Sequence, residues 1–144
     1  MSEARKIEIG AVVLRTGLGV MFVAHALLKY FVFTLAGTAQ FFASLGLPGA
    51  LGYLTFAAEL VGGELLIVGF RTRAVAFALV PVLIGATWAH SGNGWLFTSP
   101  KGGWEYPAFL TLAALALGLV GDGVIARQAR TTTQRTAQAA VRAV

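Results

Sequence analysis

Five ionisable side chains lie where an apolar chain has to account for them. Arg15, His25 and Lys29 fall within an apolar stretch from about Ile9 to Leu35. Glu59 and Glu64 fall within a second, from about Ala50 to Phe70. Both stretches are long enough to cross a bilayer. An ionisable group in hydrocarbon costs roughly 2.5–3.5 kcal/mol on insertion scales, so groups kept there pair with each other, face a wet cavity or serve a substrate. The chemistry open to this set is proton exchange, hydrogen bonding to a polar headgroup and stabilisation of developing negative charge.

The elements that must position these groups follow from composition. The chain has 144 residues, 57% hydrophobic and only 12% charged, with a net charge of +5. Soluble domains are about 25% charged. The absence of cysteine excludes disulfides, thiolate metal sites and dithiol redox chemistry within the chain. The basic residues lie between apolar spans and in the tail rather than on one polar face, which is a topology signal and argues against nucleic acid as a partner. Four segments qualify as spans, about 9–35, 50–70, 74–90 and 106–124. Backbone groups must be satisfied internally in lipid, so the spans are helices. The expected fold is an all-α membrane protein, a bundle of four transmembrane helices filling one domain (1–125), followed by a basic tail (126–144). The first span, with its basic start and Ala24-His25-Ala26, loosely resembles a signal peptide. Arg15 interrupts it and the apolar stretch runs on past Ala26, so it reads as an uncleaved membrane helix.

Charge sets the direction. Arg5, Lys6, Arg71, Arg73, Arg127, Arg130, Arg135 and Arg142 flank one side of the spans, and only Lys101 lies in the connections on the other. The positive-inside rule places both termini and the Arg71–Arg73 turn in the cytoplasm. That turn is short, so spans two and three are antiparallel neighbours. Thr38–Leu45, stopped by Gly46-Leu47-Pro48, reads as a short interfacial helix in the first outer loop. Trp95, Phe97, Trp104 and Tyr106 in the second outer loop form either an aromatic belt or a lid over a cavity. Pro81 is expected to kink span three, and the glycine pairs 17/19, 62/63 and 121/123 to allow close helix contact.

Depth sorts the polar residues. At 1.5 Å per residue, Arg15 and Glu64 each lie about 9 Å above the inner end of their span, which predicts a structural ion pair. Glu59 lies about 16 Å up, with no basic residue level with it, so burial there favours its neutral form. Near the outer end, His25 and Lys29 share a helix face. His90 ends span three, and Glu105 and Tyr106 open span four, at the same level. These five can converge on one site. Each also has a plainer reading: Lys29 can snorkel outward, and Glu105 can favour the positive end of a helix dipole. Two histidines and a carboxylate could hold a metal, but HxxxH and ExxH spacings are absent, and no metal site is expected.

The order of these pieces resembles the DoxX family of small bacterial and archaeal four-helix membrane proteins. The resemblance covers about Arg15 to Gly123. It rests on Arg15 with His25 and Lys29, the run Gly37–Pro48, Glu59-Leu60-Val61-Gly62-Gly63, Gly69-Phe70-Arg71-Thr72-Arg73, His90, Gly102-Gly103-Trp104-Glu105-Tyr106-Pro107 and Gly121-Asp122-Gly123. Glu64 departs from the pattern, since that position is usually apolar. The resemblance implies membrane redox chemistry, including quinone-coupled oxidation and membrane-bound oxidoreductase complexes, in a bacterial or archaeal cell (inner) membrane.

A quinone or quinol near the outer leaflet fits the polar set. His25 and His90 would hydrogen-bond its carbonyls, Lys29 would stabilise negative charge, Glu105 would exchange protons outward, and Glu59 would relay them from mid-membrane. Trp88, Trp104 and Tyr106 would line the headgroup. Electrons would have to come from the quinone, a bound cofactor or a redox partner protein. Two other classes remain open. The chain could be a non-catalytic anchor or assembly subunit, or a lipophile-binding or transport protein that would have to form a homo-oligomer.

Overall fold

The computed structural model describes residues 1–121. These form α1 (Glu3–Phe31), α2 (Leu35–Ser44), α3 (Ala50–Val68), α4 (Thr72–His90), a short 3-10 turn (Ser91–Asn93) and α5 (Glu105–Val120). Among them are no strands. α1, α3 and α4 are long and apolar enough to cross a membrane; α5 is apolar but shorter. The fold is that of a helical membrane protein. The basic tail and Asp122 lie outside the described residues.

The boundaries differ from the expected ones in an instructive way. α1 begins at Glu3, capped by the Ser2 hydroxyl, which accepts from the Arg5 N–H. It ends at Phe31 rather than Leu35. Thr34 breaks the chain there with φ 60°, and its hydroxyl accepts from the Gly37 N–H at 3.0 Å, capping a new helix. The short helix therefore starts at Leu35 and packs on α3. Gly49 and Gly52 make that contact possible: a Cβ at Gly52 would stand 3.1 Å from the Ala39 backbone nitrogen. α4 runs unbroken through Pro81, whose ring lies on the exposed side.

The helices associate as two tight pairs, α1 with α3 and α4 with α5, joined where α3 meets α4 and α1 meets α5. The shared core is Leu18, Phe22, Leu66, Ala76, Leu79, Leu83, Ala114 and Leu117. Glycines set the spacing of the first pair. A Cβ at Gly19 would meet the Gly63 carbonyl at 2.7 Å, and one at Gly63 would meet the Gly19 carbonyl at 2.8 Å. Between lipid-solvated helices, such backbone contact is a main source of association. It also fixes a common level for α1 and α3, from which the height of every polar side chain between them can be counted.

Candidate functional site

The site is built on one seam of α1. Glu8, Arg15, Phe22 and Lys29 recur every seven residues, with Ala11, Leu18 and His25 between them. Seven residues are nearly two turns, so this set shares a face. Ala11, Leu18 and Phe22 are buried, and Arg15, His25 and Lys29 are half-buried beside them. Arg15, His25 and Lys29 therefore point into the bundle rather than to lipid.

Lys29 forms an ion pair with Glu59 of α3, its Nζ donating to Oε2 at 2.6 Å. Their side chains are 16% and 8% exposed. This corrects the expectation that no basic residue reaches Glu59. Counted from the Gly19–Gly63 contact, Lys29 lies about 15 Å up α1 and Glu59 only about 6 Å up α3. Cβ atoms lean toward a helix's N-terminus. Because the two helices are antiparallel, Lys29 leans down and Glu59 leans up, and the long lysine stem closes the gap. Lys29 does not snorkel outward.

The expected Arg15–Glu64 pair is likewise replaced. Arg15 Nη1 donates to the carbonyls of Leu66 and Ile67, both at 2.7 Å. These are carbonyls of the last turn of α3, where the helical ladder runs out; that of Leu66 accepts in addition from the Gly69 N–H at 3.2 Å. The Gly69 and Phe70 N–H groups take the Leu65 carbonyl at 3.0 and 2.9 Å. Gly69, at φ 77°, supplies the left-handed turn this requires. A Cβ there would lie 2.7 Å from Arg15 Nη1. Arg15 is thus a cationic cap on the negative end of α3. Glu64 is exposed and makes no ion pair among the described residues.

Around His25 a compact polar group forms. Its ring stacks on Tyr106 of α5, centroids 6.0 Å apart and planes at 24°. The Nδ1–H donates to the Met21 carbonyl at 2.8 Å. A carbonyl only accepts, so the proton is fixed on Nδ1 and neutral His25 presents Nε2 as an acceptor. The Tyr106 hydroxyl donates to the Met21 thioether at 3.3 Å. Met21, which the sequence reading did not single out, holds both rings through two different atoms. Its only sequence signal is its place four residues before His25.

The remaining candidates lie around the second loop. Glu105 accepts from the Phe97 N–H at 2.8 Å and ties down the loop instead of joining His25. The Nδ1–H of His90 donates to the Ala86 carbonyl at 2.8 Å, leaving Nε2 near Gly102. Trp104 meets Trp95 edge-on at 4.5 Å between centroids, beside a backbone that Gly103 brings close to Trp95 and Leu96. Trp88 is exposed on α4. Among the described residues, no three histidines, cysteines or carboxylates are grouped to hold a metal.

The structure thus assembles His25, Tyr106 and Met21, and separately Lys29 and Glu59, all along the α1 seam. The first set offers a fixed acceptor beside an aromatic face, and the second a buried charge pair.

Comparison with known proteins accords with this frame. A family model described as DoxX matches residues 10–92. The chain is 35% identical over 122 residues to "Putative oxidoreductase CatD" of Bacillus subtilis (strain 168), covering 85% of this chain and 87% of that protein. No solved structure matches. On the family match and the near-full-length relative, the chain is a multi-pass membrane protein belonging to the DoxX family.

Proposed function

We propose that the protein is the membrane component of an oxidoreductase system and binds a quinone or quinol headgroup beside His25. The observation that supports this best is the His25–Tyr106 stack with Nδ1 committed to Met21. It leaves Nε2 available to a ligand and provides an aromatic surface next to it. A quinone takes up two protons with two electrons, so a site for it needs groups that hold and hand on protons. His25 can do so at Nε2. Lys29, on the same face of α1, and its partner Glu59 of α3 can pass a proton between amine and carboxylate. The chain has no thiol to exchange electrons, so they would come from the quinone, a bound cofactor or a partner protein. The name borne by CatD points to the same chemistry class.

In this reading the chain crosses the inner membrane of a bacterial or archaeal cell four times, with α5 as the fourth span and both termini in the cytoplasm. Residues 1–125 form the membrane domain, and His25, His90 and the second loop lie toward the outside. The chain has no cysteine. Single cysteines at Ser44 and Ser99 should therefore react with an impermeant thiol reagent on intact cells, and one at Ser2 should not. Labelling of Ser2→Cys from outside would reject this orientation. The quinone reading is tested by titrating the purified protein in nanodiscs with a short-chain quinone. Binding is expected in the parent and weakened in His25→Gln. No binding by the parent would leave the anchor role in its place.

A further inference from the structure

Glu64 is the one carboxylate within the spans that faces outward without a partner among the described residues. It lies four residues before the inner end of α3, about 6 Å inside the span. On the same face, Leu54, Ala57, Val61 and Val68 are exposed, Leu54 at 63% and Val68 at 71%. With Glu64 they are spaced three and four residues apart, the seam of a helix that packs on another helix. An exposed apolar face needs nothing more than lipid. A carboxylate on that face does need more, because hydrocarbon cannot solvate it.

The cation it lacks can come from the same sequence. Among the described basic residues, Lys6 is paired with Glu3, Lys29 with Glu59, Arg15 caps α3, and Arg73 is engaged within its own chain. Arg5 lies near the start of α1, about 21 Å below the Gly19–Gly63 level. Lys101 belongs to the loop at the opposite ends of the helices. Arg71 is exposed, three residues past the inner end of α3. Within its own chain it does not pair with Glu64. A two-fold axis along the membrane normal brings two α3 helices together in parallel. Each Glu64 then lies about 6 Å above the inner end of the neighbouring helix, and a long arginine side chain just past that end can rise toward it.

We propose that the protein forms a homodimer through the outer face of α3, with Glu64 of each copy paired to Arg71 of the other. Two-fold symmetry makes the contact twice, so both stranded carboxylates are neutralised at once. This inference rests on the placement of Glu64 and is independent of any quinone site.

The test uses the full chain in native membranes. Val61 lies near the axis, so Val61→Cys should give a disulfide-linked dimer on mild oxidation. Leu112→Cys, on the exposed side of α5, should not. Adding Glu64→Arg to Val61→Cys should abolish the linked band, and adding Arg71→Glu as well should restore it. Since restoration requires a folded protein, a loss caused by misfolding is separable from loss of the contact. Three results would overturn the proposal: no link at Val61→Cys, equal linking at Leu112→Cys, or linking indifferent to the charge at position 64.

Discussion

Lys29→Met is expected to destabilise the protein by about 3–5 kcal/mol, because it strands the Glu59 carboxylate among buried groups. Glu59→Leu should cost a similar amount by stranding the lysine. The combination Lys29→Met with Glu59→Leu should lose far less than the sum, since it removes two charges and leaves an apolar contact of similar volume. The measurement is reversible unfolding of the three variants and the parent in mixed micelles, treated as a double-mutant cycle. Additive losses would show that the two residues do not interact. The same cycle separates stability from function. If the pair only holds helices together, the double variant keeps every activity the parent has. If it moves protons, the double variant is stable and inactive.

The second large effect is expected at the α1–α3 contact. Gly63→Ala places a methyl group 2.8 Å from the Gly19 carbonyl and 2.9 Å from Val23 Cγ2. Because backbone lies on the far side, the helices must separate, at a cost of about 1–3 kcal/mol. Gly63→Leu should prevent assembly of the pair. Gly17 provides the control: nothing lies within 4 Å of a Cβ there, and Gly17→Ala should change stability by no more than about 0.5 kcal/mol. Thermal melts in detergent distinguish the two positions. Equal tolerance at Gly63 and Gly17 would mean that α1 and α3 are not in backbone contact. Gly63→Ala should also loosen the Lys29–Glu59 pair, whose geometry depends on the same interface.

Much of this arrangement was legible in the sequence, because lipid narrows the choices. Apolar runs of span length can only be helices, and Gly46-Leu47-Pro48 and the Arg71–Arg73 turn mark stops between them, whereas the break at Thr34, inside the expected first span, was not legible. His25 and Lys29, four residues apart, already share one face of α1 in the sequence. Partner choice was not legible. Counting depth along helix axes makes Arg15 level with Glu64, yet a level position says nothing about which way a side chain points. Glu64 turns out of the bundle, and the carbonyls at the end of α3 lie nearer to Arg15. The same count leaves Glu59 alone, because it omits the reach of a lysine and the opposed lean of side chains on antiparallel helices. Glu105 was assigned to the outer cluster by level as well. Its bond to the Phe97 N–H depends on a loop fold that glycines at 94, 102 and 103 permit and no periodicity reveals.

If His25 and Tyr106 form the face of a quinone site, titration with a short-chain quinone will show it. The parent protein, reconstituted in nanodiscs, should bind one equivalent saturably. His25→Gln and Tyr106→Leu should each weaken binding by about tenfold, the loss of roughly 1.4 kcal/mol from one hydrogen bond or one aromatic face. Their melting temperatures should stay close to the parent's. Val13→Ala, on the exposed side of α1, should bind as the parent does. Absence of saturable binding by the parent, or unchanged affinity in both site variants, would mean that no quinone binds beside His25 and Tyr106.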